Sequence, residues 1–259
     1  MGRAALITAG TAGIGLGIAE KLVSDGFDLV LTGRDPKKMA ASVRQLETFA
    51  TGTRVFGISS DLSDPQDTED LFDQALAHLP HIDCLVINSG HMAYGTVEDL
   101  SDDLWCQAFE MLLMSTVRLV RRALPHMRKR GNGDIVFITG AEAREPSAHL
   151  VLASTFRSAI ANIAKILAKS AAKDNVRVNV VAPGYFDTGR VRARVDALAS
   201  ERNISRVEAM KTIAGDNPLG RAGRANEIGE LVGFICSRKA EFLNGTTIVI
   251  DGGKSAGVI

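Results

Sequence analysis

The 259 residues predict a single doubly wound α/β domain, because short β-rich runs alternate with helical stretches along the chain, several runs are apolar on consecutive residues, and a glycine-rich turn follows the first run. Consecutive apolar positions suit parallel strands covered by helices on both faces, and the intervening helices supply right-handed crossovers. The length fits one core spanning 1–259, and 46% apolar with 23% charged residues is far from the composition of a disordered chain.

Seven strands are predicted, at 4–8, 29–32, 54–58, 84–88, 135–139, 176–182 and 246–250. After the first, Ile14, Ile18, Leu22 and Val23 recur at helical spacing and the helix stops near Gly26. After the second, Asp35 is read as capping a helix that starts through Pro36. A longer helix follows Ser101, with Asp102 and Asp103 in its first turn, and is read as carrying Phe109, Leu112, Leu113 and Val117 inward. An Ala-rich helical run at 158–168 leads to the sixth strand. Residues 187–216 form a polar, Arg-rich helical stretch with little core pattern, read as a small mobile lid because it follows the carboxyl end of that strand, where open α/β sheets bind ligands.

Thirty basic residues balance thirty acidic ones, so no overall field draws the chain to nucleic acid or to an anionic membrane, and a small-molecule partner is expected. Cys84, Cys106 and Cys236 are far apart and sit in apolar runs, so they are read as core thiols with neither disulfide nor zinc spacing, and no metal site is expected. The first strand starts by about Arg3, without a secretory-signal pattern, and no run approaches the roughly 18 uninterrupted apolar residues of a membrane span. A cytoplasmic location is the expectation.

The first strand runs into Thr8-Ala9-Gly10-Thr11-Ala12-Gly13-Ile14-Gly15, with the helix opening on the last of these. Glycines there let the backbone turn sharply and approach a pyrophosphate, whose charge the helix N-terminus stabilises; plain strand-to-helix packing is the alternative use of such a turn. The spacing resembles the Thr-Gly, three residues, Gly-x-Gly pattern of the short-chain dehydrogenase/reductase family, with Ala9 in place of the first glycine. Further matches follow in order. Asp61-Leu62 resembles the pair that contacts the adenine, and Asn88-Ser89-Gly90 resembles the family's Asn-Ala-Gly. Pro183-Gly184 with Thr188 resembles the segment that meets the nicotinamide, and Asp251-Gly252-Gly253 closes the last strand as in relatives.

The resemblance implies a Rossmann fold, a cofactor site at Ala9, Thr11, Ala12, Gly13, Ile14, Gly15, Asp61, Leu62, Asn88, Ser89, Gly90, Pro183, Gly184 and Thr188, and a homodimer or homotetramer. Cofactor choice is read in Gly33-Arg34: an acidic residue at 33 would bind a ribose 2′-hydroxyl, whereas glycine leaves space and Arg34 can pair with a 2′-phosphate. NADP(H) is therefore expected, with a merely solvated Arg34 as the alternative.

In that family a tyrosine assisted by a lysine delivers the proton, a serine orients the substrate, and an asparagine organises a water chain. The register places these positions at Ala153, Arg157, Gly140 and Leu112, so each lacks the family residue; a shift by two offers only Val151 and Thr155. Arg157 keeps a positive charge but cannot act as the acid. Tyr185, next to Pro183-Gly184, is either a replacement donor or a packed wall, and Ser154 and Thr155 are either hydrogen-bond donors or helix-surface hydroxyls. Glu142, Arg144 and His149 fall in the loop over the site. Arg144-Glu145-Pro146 and the run from Leu150 to Arg157 resemble a divergent, 3-oxoacyl-carrier-protein-reductase-like branch that replaces the tyrosine and lysine. The expected activity is NADPH-dependent reduction of a conjugated ketone, quinone-like ring or imine. A non-catalytic NADP(H) sensor or partner subunit, and ordinary 3-oxoacyl reduction, are the alternatives.

Overall fold

The computed structural model describes residues 2–50, 52–90, 92–214 and 217–257, and for Arg190 the backbone alone. Seven parallel strands form the central sheet: β1 (Ala4–Ile7), β2 (Asp28–Gly33), β3 (Val55–Ser59), β4 (Cys84–Ile87), β5 (Gly133–Ile138), β6 (Val176–Pro183) and β9 (Thr247–Ile250). Their order is β3-β2-β1-β4-β5-β6-β9, so the chain reverses direction across the sheet between β1 and β4. The doubly wound parallel architecture predicted from the sequence is the one observed. A two-stranded parallel ribbon, β7 (Phe186–Asp187) with β8 (Gly223–Arg224), was not predicted, being only two residues on each side.

Continuous apolar strands are buried on both faces, as the parallel pattern requires: β1, β4 and β5 have every residue buried. One face is covered by α3 (Pro65–His78), α5 (Ser115–Arg130) and α6 (Val151–Ala171), which bring Phe72, Leu119 and Ile160 to Leu6, Leu85 and Phe137. The other is covered by α1 (Gly13–Ser24), α2 (Pro36–Glu47) and α9 (Ala225–Ile235), which bring Ile18, Leu46 and Val232 to Ile7, Leu31 and Val86. Asp35 caps α2 as predicted, its carboxylate accepting from the Lys37 and Lys38 amides at 2.9 and 3.2 Å.

The long helix after Ser101 differs from the expectation. It runs as α4 (Asp102–Ala108), a π-helical segment Phe109–Met114, and then α5. The widened turn breaks the 3.6-residue rhythm, so Phe109 turns outward and is 40% exposed, while Leu112 stays buried and Leu113 and Val117 are half-buried. Phe109 and Trp105 pack instead against the Phe156 ring of α6, at 6.0 and 5.9 Å. Cys106 is also exposed, correcting its reading as a core thiol, because α4 buries only Ala108 and turns Cys106 to its outer face.

The Arg-rich stretch forms α7 (Gly189–Arg202) and α8 (Arg206–Ala214); positions 215 and 216 of the expected lid lie outside the described residues. It has more core than its composition suggested, since Val195, Leu198 and Ala209 bury one another between the two helices. By length and composition α6 and the turn after it, Val151–Asp174, meet the requirement for crossing a membrane, with mean hydropathy 1.3. The run is interrupted by Arg157, Lys165 and Lys169, and its Leu152, Ile160, Ala164 and Ala168 are buried in the core.

At the amino ends of the strands, Asp134 of β5 pairs with Arg177 at 2.6 Å and Arg3 at 3.2 Å. Burial pushes its carboxyl up to about 6 despite both guanidinium groups. Beside it Asp83 accepts from the Ala4 amide at 2.9 Å and pairs with His81 and Arg130.

Candidate active site

The carboxyl ends of the strands open a cleft at the β1/β4 reversal, where doubly wound folds bind nucleotides. The glycine-rich turn enters it from β1. The Thr8 hydroxyl donates to the Asn88 carbonyl at 2.5 Å and accepts from the Asn88 amide at 2.9 Å, locking the ends of β1 and β4 together. Asn88 Nδ2 donates to the Ala9 carbonyl at 3.2 Å, and the Gly10 amide donates to the Thr32 carbonyl at 2.8 Å. Ala9, the departure from the family's glycine, adopts a left-handed φ of 47°, a conformation that disfavours any Cβ.

α1 opens at Gly13, two residues earlier than the sequence suggested, on an extended Ala12 whose side chain offers no cap. Its first amides thus remain available to an external acceptor, which the helix dipole favours as an anion. The backbone here is as tight as glycine permits. A Cβ on Gly15 would stand 2.2 Å from the Ala9 carbonyl oxygen and 2.9 Å from Asn88 Nδ2. Thr188, which caps α7 by accepting from the Val191 amide, lies across the cleft with its methyl 3.2 Å from where a Gly13 Cβ would be.

At the end of β2 the space left by Gly33 is filled by the Thr11 side chain, 2.7 Å from where a Cβ on residue 33 would stand, so a larger residue there is excluded by contact. Arg34 is 69% exposed at its side chain and reaches only within 3.9 Å of Asp61. Burial would raise the Asp61 carboxyl, but hydrogen bonds from the Ser63 hydroxyl and amide, with Arg34 nearby, hold it below the usual range. Leu62 is buried, and Ser89 and Gly90 are half-buried at the cleft floor. Gly184 is pressed against Asp251, whose carboxylate receives the Gly253 and Ser255 amides at 2.9 and 2.7 Å.

On the β5 side, a Cβ on Gly140 would lie 2.3 and 2.4 Å from the two carboxylate oxygens of Glu142. Glu142 occupies the volume a side chain at 140 would take and pairs with Arg157 of α6; both are largely buried, at 14% and 18% side-chain exposure. Arg157 Nε is buried without a hydrogen-bond partner, an orphaned donor at the cleft. Ala153 is buried one turn earlier, and Leu112 is fully buried beneath. The Glu142–Arg157 pair was not foreseen, although Glu142 was placed in the loop; the signal was an acid two residues beyond Gly140 together with an arginine at 157.

The remaining positions scatter around the mouth. Ser154 is buried, its hydroxyl oxygen accepting from the Ser147 amide at 3.2 Å, while Thr155 is exposed. Tyr185 is half-buried, its carbonyl accepting from the Gly223 amide at 2.8 Å. Arg144 and His149 are exposed in the loop before α6. Arg194 of α7 lies over the Tyr94 ring at 5.8 Å, joining that helix to the loop after β4. No group of three or more His, Cys, Asp or Glu side chains suited to a metal occurs among the described residues.

A parallel sheet with an uncapped helix N-terminus at its switch point, a glycine cradle and an orphaned cationic donor defines the dinucleotide-binding class of α/β proteins and fits such a ligand. The chain belongs to the short-chain dehydrogenase/reductase family. The family profile described as enoyl-(acyl carrier protein) reductase matches residues 8–255. Uncharacterized oxidoreductase YvaG of Bacillus subtilis (strain 168) is 32% identical, covering 97% of this chain and 96% of YvaG. Dehydrogenase/reductase SDR family member 4 of Oryctolagus cuniculus is 30% identical, over 97% of this chain and 93% of that protein. L-sorbose reductase from Gluconobacter frateurii, solved with NADPH and L-sorbose, superposes with a TM-score of 0.94 at 28% identity, covering 99% and 98% of the two chains.

Proposed function

We propose that this chain is an NADPH-dependent reductase of a conjugated ketone, quinone-like ring or imine, from a branch of the family that works without the tyrosine donor. The observation that carries the reading is the Glu142–Arg157 pair, which fills the volume beside Gly140 in a cleft whose coenzyme half keeps the family's form. Relatives support the coenzyme, since the sorbose reductase was solved with NADPH. The family profile's description also names an enoyl group, whose reduction delivers hydride to a carbon of a conjugated double bond.

Bound in the cleft, NADPH supplies the hydride. The opening amides of α1 would hold its diphosphate, Arg34 would pair with its 2′-phosphate, and Asp61 and Leu62 would border its adenine. Asn88 fixes the Ala9 carbonyl through its 3.2 Å hydrogen bond and so would hold the glycine-rich turn in shape for the coenzyme. Arg157 would keep a positive charge near the nicotinamide ribose, and Glu142 holds its guanidinium in place. No tyrosine stands at Ala153, so a substrate that develops its charge far from the hydride acceptor, or arrives already protonated, suits the site better than a simple ketone. Tyr185 and Ser154 are the hydroxyl groups nearest to replacing the donor, and α7 with α8 closes over the substrate. The protein acts in the cytoplasm as a homodimer or homotetramer.

The test is turnover of NADPH on matched substrates. Enones, quinones and cyclic imines are expected to be reduced at least tenfold faster than the corresponding saturated ketones; equal rates, or none on any of the three classes, overturns the reading.

A further inference from the structure

Cys84 and Cys236, separated by 152 residues in sequence, place their sulfur atoms 3.1 Å apart, inside the ordinary contact distance of two sulfurs. Both are free thiols buried in the core. Cys84 begins β4 in the middle of the sheet, and Cys236 ends α9 on the face that covers it. The packing of those two elements, not local sequence, imposes the contact. The two residues differ in one respect. Cys236 forms part of the wall of a cleft of about 610 Å³ at the amino ends of the strands, on the side of the sheet opposite the coenzyme, whereas Cys84 does not border it. The same cleft is lined by Arg3, Arg130, Arg177 and Arg238, each paired with a carboxylate of Asp83, Asp134 or Glu241 in the same wall, so the path to Cys236 is polar and open to a hydrophilic small molecule.

We propose that Cys84 and Cys236 are a redox-convertible pair, closed to a disulfide by a hydrophilic low-molecular-weight disulfide that enters the amino-end cleft. Cys236 loses its proton and its sulfur attacks one sulfur of the small disulfide, expelling the first thiolate and leaving a mixed disulfide on Cys236. Cys84 then loses its proton and attacks the Cys236 sulfur, expelling the second thiolate. Two protein thiols are oxidised, one small disulfide is reduced to two thiols, and the two protons released by the protein go to the departing thiolates. The hydrogen bond that the Cys236 thiol shares with Cys84 and full burial push that thiol up, so the exchange is slow at neutral pH and quickens as pH rises. The assignment rests on the thiol geometry and the cleft, and it is independent of the substrate reading above.

Cys106, exposed on α4, is first replaced in a Cys106→Ser background so that it does not report. The folded protein is incubated with glutathione disulfide and digested for mass spectrometry without reductant. The expected result is a cross-link joining the Cys84 and Cys236 peptides, with more formed at pH 8.5 than at pH 7. In Cys84→Ser a glutathione adduct accumulates on Cys236, and in Cys236→Ser neither cross-link nor adduct forms on Cys84. Thiols that stay free in the folded parent at both pH values, or an adduct that forms first on Cys84, overturn the proposal. The parent protein alone decides the first point if either serine variant fails to fold.

Discussion

The two halves of the cleft share one sheet but are built from different materials. The coenzyme half, at the ends of β1, β2 and β4, is made of backbone: uncapped amides of α1, carbonyls pinned by Thr8 and Asn88, and a glycine no side chain can replace. The half at β5 and α6 is made of side chains, and there a charged pair has taken a volume that Gly140 leaves open. Backbone sites keep their shape so long as the chain path is kept, which is why Ala9 is tolerated in a glycine position. Side-chain sites change by co-substitution, because a buried charge survives only with its partner.

The largest effect is expected from Gly15→Val. Its Cβ meets the Ala9 carbonyl, so we expect a stability loss of about 4 kcal/mol or more and no measurable NADPH binding, read by thermal melts and coenzyme fluorescence. A folded variant that still binds would show that the backbone half is more plastic than its geometry. Next comes Arg157→Ala, which strands the Glu142 carboxylate and is expected to cost about 3 kcal/mol in urea unfolding. Adding Glu142→Ala should recover more than half of that loss, and failure to recover would mean that the two groups do not depend on each other.

The amino-end rim serves as a reference outside both halves. The folded Asp134 carboxyl lies at about 6, above the 3.8 of an unperturbed aspartate. The folded state therefore holds its proton more tightly than the unfolded chain, so this group's contribution to stability is greatest below about pH 4 and falls as pH rises through 6. The loss approaches about 3 kcal/mol from this group. Asp134→Asn should flatten that part of the urea-midpoint profile, and an unchanged profile would assign the slope elsewhere. Arg34→Ala is expected to weaken NADPH roughly 10- to 100-fold while leaving NADH unchanged, by fluorescence titration; equal losses for both coenzymes would remove Arg34 from 2′-phosphate recognition. Ala9→Gly should give the smallest change, a gain of about 1 kcal/mol or a few degrees in melting temperature, by relieving the left-handed backbone.

The sequence by itself determined the strand order's raw material, the glycine turn and the cap at Asp35, because each depends on local periodicity or on residues adjacent in the chain. Only the tertiary structure decided that Phe109 faces out, since a π-helical turn is a response to packing that no propensity announces. It alone joined Glu142 to Arg157 and Cys84 to Cys236, and filled the Gly33 space with Thr11. Residues far apart in a chain meet only after the sheet and its covering helices have fixed their distances, so pairings of this kind leave no periodic mark for a reader of the sequence to find.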